Sequence, residues 1–151
     1  MPVLEPNESG GMDQLSFVSA ERAGGPNVAG RSYSDFAING RPLHAIIGRD
    51  LVSVFGCLGR ELEREYARRL WPKEHTTSRA VLYVCGQCGD LGCGYFSVEV
   101  RIVDDCVVWS SPGWEDNLSA SGDSNLRPFD GAWRDLWFDR VEYRTALGYY
   151  L

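Results

Sequence analysis

Phe96-Ser97-Val98-Glu99-Val100-Arg101-Ile102-Val103-Asp104-Asp105-Cys106-Val107-Val108-Trp109 sets the architecture of this chain. Apolar residues at 96, 98, 100 and 102 alternate with Ser97, Glu99 and Arg101, the pattern of a strand with one face in a core. Asp104-Asp105 fits as the turn of a hairpin, which makes Val103 face Cys106, Ile102 face Val107 and Val100 face Trp109. That register gathers Phe96, Val98, Val100, Ile102, Val107 and Trp109 on one side, as a core-packed hairpin needs. Immediately upstream, Ala80-Val81-Leu82-Tyr83-Val84 runs without a polar break into Cys85 and reads as a buried strand.

Working outward, Leu58, Leu62, Tyr66, Ala67 and Leu70 recur at helical spacing with charges on the other face. This predicts an amphipathic helix over about 59–71, stopped by Pro72. Nearer the start, Leu15 and Phe17 suggest a short strand, and the glycines of 21–31 a loop. Tyr33 to Ile38 then runs into Asn39-Gly40, a strong hairpin signal, with Pro42 confining the return strand to an edge. Residues 110–131, rich in Ser, Gly, Asp and Asn, read as a long loop. Trp133 to Phe138 is expected to be a strand. Asp139 and Glu142 then form a capping-box variant opening a short C-terminal helix over Val141 to Leu147. The fold class expected is therefore α+β: a mainly antiparallel sheet with a long hairpin at about 95–109, the 59–71 helix and a short C-terminal helix. Residues 1–12, with Pro2, Pro6, Gly10 and Gly11, read as a flexible arm before a single domain at 13–151.

The chain has 151 residues, of which 44% are hydrophobic and 24% charged, a balance that excludes disorder throughout. It is long enough to bury roughly 70% of the surface its unfolded form exposes. No apolar run is long enough for a membrane helix, and Met1-Pro2-Val3-Leu4-Glu5-Pro6 has neither the basic nor the apolar part of a signal peptide. A cytoplasmic location is the expectation. The net charge of −6 argues against binding nucleic acid or anionic membrane, because phosphate contacts need a basic surface. The charge is also uneven, with nine carboxylates against three arginines between Asp104 and Glu142.

Two regions carry candidate chemistry. Cys85-Gly86-Gln87-Cys88-Gly89-Asp90-Leu91-Gly92-Cys93-Gly94 has the Cys-x-x-Cys-Gly step of a zinc knuckle, so Cys85, Cys88 and Cys93 are candidate ligands for a structural zinc. The fourth ligand is open among Cys57, His75, His44, Asp90 and water. Cys106 fails on geometry, since a strand of this length puts it on the order of 30 Å from Cys93. A redox couple lacks the helix N-terminus that lowers a thiol pKa, and a glycine-lined structural turn accounts for the same residues. The second region is acidic and aromatic. Trp114, flanked by Pro112-Gly113 and by Glu115 and Asp116, is the ring expected to be partly exposed, while Trp109, Trp137 and Phe138 fall on strand positions and are expected in the core. Trp114, Glu115 and Asp116 are thus candidate contacts for a basic protein partner.

From the cysteine turn through the hairpin to Trp109, Trp114-Glu115-Asp116-Asn117 and Phe138-Asp139-Arg140-x-x-Tyr143, the chain resembles a group of small uncharacterised bacterial proteins. They share a Cys-x-x-Cys-Gly-Asp-x-Gly-Cys-Gly turn, a strand pair ending in tryptophan and a C-terminal Phe-Asp-Arg-x-x-Tyr segment. The resemblance spans the last half of the chain and, more weakly, Phe36 to Leu58. It implies a bacterial cytoplasmic protein and a common fold, with no established activity attached. Two functions from different classes follow from the residues: a binding or regulatory protein, immunity-like in its use of an acidic aromatic surface, or a small thiol- or zinc-dependent enzyme centred on Cys85 to Cys93.

Overall fold

A computed structural model describes residues 12–26, 30–56, 58–86, 94–115, 126–131 and 133–151. The long hairpin forms as its alternation requires. Strand β6 (Tyr95–Val103) pairs antiparallel with β7 (Cys106–Glu115), numbering the strands in chain order, with Val103 opposite Cys106, Ile102 opposite Val107 and Val100 opposite Trp109. The apolar run upstream is β5 (Thr77–Cys85), flanked on its other side by β4 (Leu51–Ser53). β7 also pairs with the two-residue β8 (Arg127–Pro128) and with β9 (Leu136–Asp139).

β7 continues well past Trp109, into residues expected to be loop. Between Ser97 and Glu99 the register shifts, so that Ser111 and Pro112 together oppose Val98. A bulge is where a strand accepts a proline, because the ladder there does not call on its missing N–H. Ser111 takes a positive φ of 49° at this point. Beyond it, Gly113 and Trp114 are paired on both sides, by Ser97 and Phe96 and by Pro128 and Arg127.

The remaining strands make a second sheet. β1 (Leu15–Arg22) pairs with β2 (Arg31–Ile38), which turns at Asn39-Gly40 into β3 (Arg41–Pro42). The turn residues have φ of 53° and 81°, as the primed hairpin turns demand. The return strand stops at Pro42 and becomes helix α1 (Leu43–Ile47), because Leu43, Ile46 and Ile47 are spaced to bury one helical face.

Two seams join the sheets into a ring. At one, Ser34 N–H of β2 donates to Phe55 O just beyond β4 at 2.8 Å. At the other, Asp13 N–H ahead of β1 donates to Trp137 O of β9, also at 2.8 Å. Phe36, Tyr83, Phe96, Trp109 and Phe138 are fully buried within this ring, and Phe36 meets both Tyr83 and Trp109 with ring centroids 5.6 and 6.0 Å apart.

Helix α2 (Arg60–Leu70) matches the predicted segment, but only its later turns are covered: Tyr66, Ala67 and Leu70 are buried whereas Leu62 is 45% exposed. Helix α3 (Arg140–Leu147) is capped as expected, the Asp139 carboxylate accepting from Glu142 N–H at 3.0 Å. It delivers Tyr143 to the core, whose hydroxyl donates to Leu70 O at 2.8 Å and accepts from Trp109 Nε1 at 3.0 Å. No helix among the described residues is long and apolar enough to cross a membrane.

Candidate functional site

The antiparallel register brings the two candidate regions to one end of the large sheet. Cys85 opposes Leu51, Tyr95 opposes Glu115, and Trp114 lies between Phe96 and Arg127. Cys88, Cys93, Cys57 and Asp116 lie outside the described residues. Cys106 opposes Val103 at the other end of β6, consistent with its exclusion as a partner of the cysteine turn. Among the described residues, no three His, Cys, Asp or Glu side chains gather as a metal site would need. Cys85 is half-buried.

The entry to the cysteine turn is held from both sides. Gly86 N–H donates to Asp50 O at 3.0 Å and Gly86 O accepts from Arg31 Nε at 3.1 Å. Arg22 grips the Asp50 carboxylate through two bonds of 2.7 Å and holds its pKa below the usual carboxylate range. His44 Nε2 lies 2.8 Å from the backbone oxygen of Arg49. His75 is exposed.

Trp114 is half-buried, and the Arg49 guanidinium sits over its ring at 5.3 Å. The indole lies against Gly94, where a Cβ would come within 3.2 Å of Nε1 and 2.8 Å of Glu115 O. Gly94 also has a φ of 116°, so a side chain is doubly disfavoured there. Glu115 is engaged internally. It stands 3.7 Å from Arg79 Nε and accepts a hydrogen bond from the Tyr95 hydroxyl, which together with burial pushes Tyr95 up to about 12. Arg79 in turn donates to Ser97 Oγ at 2.9 Å and Ser97 O at 3.1 Å.

The opposite end of the sheet carries what sequence reasoning missed. Trp109 and Phe138 are buried as expected, but Trp137 is 41% exposed. The signal was available: Trp137 and Phe138 are adjacent on a strand, so they point to opposite faces, and only a sheet covered on both sides buries both. Trp137 opposes Val108, and Asp139 opposes Cys106, which opposes Val103, so these residues share the outer face. Val103 and Val141 are exposed beside this strand end. Arg140 N–H donates to Asp105 O at 2.9 Å, which seats α3 against the hairpin turn and brings Asp104, Asp105 and Glu142 to the same end. None of these three carboxylates is in an ion pair among the described residues, whereas Arg140 is committed to Glu74. Arg101, opposite Val108, is the cation in the row of Trp137.

Comparison of the chain with protein-family models, with curated proteins and with solved structures gives no match.

Proposed function

We propose that this chain is a non-enzymatic binding protein that takes a basic protein partner on an acidic aromatic face, in the manner of an immunity protein. The observation that carries the reading is the exposed Trp137 ring at a sheet end that also carries the exposed Val103 and Val141 and the carboxylates of Asp104, Asp105 and Glu142, none of them in an ion pair among the described residues. A tryptophan with an apolar surround is the usual anchor of an interface, and unpaired carboxylates at its rim steer a basic surface. Trp137 suits this role better than Trp114-Glu115, because Glu115 is already held by Arg79 and Tyr95 and Trp114 by Arg49.

The test is affinity capture with the immobilised full chain, with bound proteins identified and their charge tabulated. The expected result is a basic protein whose retention falls with added salt and is lost in Trp137→Ser/Glu142→Lys, while Trp114→Phe retains it. Capture that survives Trp137→Ser/Glu142→Lys, or bound proteins that are acidic, overturns the reading.

A further inference from the structure

The cleft beside Trp114 takes no part in that partner face, and its chemistry is of the opposite sign. It has a volume of about 270 Å³ and is lined by Arg49, Phe96, Trp114, Arg127, Phe129 and Asp130 among others. In a chain with a net charge of −6, these walls bring two guanidinium groups together with one carboxylate.

Arg49 is the key residue. It forms no ion pair among the described residues, and the carboxylate next to it in sequence, Asp50, is gripped by Arg22 through both oxygens. Its guanidinium lies over the Trp114 ring at 5.3 Å. A guanidinium carries its N–H donors in a planar fork, and an edge of that fork matches a carboxylate with two parallel bonds. The walls are fixed before any ligand arrives. His44 bonds the backbone oxygen of Arg49 at 2.8 Å, Gly94 supports the indole, and Phe129 N–H donates to Pro112 O at 2.9 Å. Phe129 also meets Phe96 edge to face, with centroids 5.7 Å apart.

We propose that this cleft binds a small aromatic carboxylate, its ring against Phe129 beside Trp114 and its carboxylate on the N–H groups of Arg49. The aromatic walls favour a flat ring over a saturated one of the same size. The volume lies below the roughly 300 Å³ at which drug-sized pockets begin, so a single ring with its carboxylate is the scale of ligand that fits.

The test uses the full chain labelled with nitrogen-15, observing the indole N–H resonance of Trp114, assigned by its absence in Trp114→Phe. Benzoate is titrated beside benzamide, which keeps the ring and loses the charge, and cyclohexanecarboxylate, which keeps the charge and loses the flat ring. The expected result is a saturable shift with benzoate and affinities at least about tenfold weaker for the other two. Arg49→Gln, at an exposed position that leaves the fold intact, is expected to weaken benzoate by about tenfold or more, and Arg49→Lys to restore only part. No shift with benzoate, equal binding of benzamide, or an Arg49→Gln protein that binds benzoate unchanged each overturns the proposal.

Discussion

At the seam between β1 and β9, the Asp13 carboxylate is 4% exposed and is met by a cation. Arg134 reaches it with two bonds of 2.8 and 2.9 Å, Asn39 Nδ2 adds one of 2.8 Å and Trp137 N–H one of 3.0 Å. Beside the seam between β2 and β4, Asp35 is 2% exposed and its hydrogen bonds come from neutral donors, the Tyr83 hydroxyl and the backbone N–H groups of His44 and Phe36, with a charge attraction from His44 beside them. Burial pushes both carboxylates toward the neutral form. At Asp13 the hydrogen bonds and the charge of Arg134 outweigh burial, and the pKa falls below the ordinary value. At Asp35 burial wins over the Tyr83 bond, and the pKa rises. Similar depth therefore gives opposite protonation preferences, because a guanidinium hydrogen-bonds the carboxylate directly at one seam, whereas at the other neutral donors and the attraction of His44 do not offset burial.

The largest effect that can sharpen this contrast is Asp13→Ala. It removes the acceptor of Asn39 Nδ2 and Trp137 N–H and the carboxylate paired with Arg134, and a loss of about 3–5 kcal/mol is expected in urea unfolding. A loss under about 1 kcal/mol would mean that the seam holds without its ion pair. Tyr83→Phe should cost less, about 1.5–3 kcal/mol, since it removes one donor to a buried acid.

The pH dependence separates the two sites by sign. Asp13 has a folded pKa below its unfolded value, so its stabilisation is complete above about pH 4 and is lost as pH falls through the folded pKa. Asp35 has a folded pKa above its unfolded value, so stability falls as pH rises from about 4 through that raised pKa. Unfolding of wild type, Asp13→Asn and Asp35→Asn across the acid range should give difference curves of opposite slope, and slopes of one sign would break the comparison. Smallest of all is Trp137→Ser, which leaves the seam bonds of the Trp137 backbone untouched. Its stability should stay within about 0.5 kcal/mol of wild type, so that any loss of partner binding reports on the ring itself.

The parts of the fold legible in the sequence are those fixed by neighbours along the chain. The 96–109 alternation determined the register of β6 on β7, Asn39-Gly40 gave the hairpin turn, and Asp139 with Glu142 placed the start of α3. Helix α1 was not legible, because the helical spacing of Leu43, Ile46 and Ile47 is too short a signal beside Pro42 and the segment reads as the return strand of a hairpin. The continuation of β7 through Ser110 to Glu115 was hidden because its residues favour turns. It is a strand only because β6 and β8 flank it. The candidate site divides in the same way. Tryptophans and carboxylates stood out by composition, yet which were free was decided elsewhere, by Arg79 and Tyr95 occupying Glu115 and by the one-sided cover of β9 that leaves Trp137 outside.

By itself, then, the sequence determined an α+β chain with a long core-packed hairpin, a capped C-terminal helix and an acidic aromatic C-terminal third, because each depends on spacing within a dozen or so residues. Only the tertiary structure decided that two sheets close at Asp13 and beside Asp35, that Cys85 and Trp114 share one end of the large sheet, and that Arg49 lies on Trp114. Those contacts join residues far apart in the chain. Local pattern carries no record of them, because they follow from how the strands are ordered in space rather than from how each strand forms.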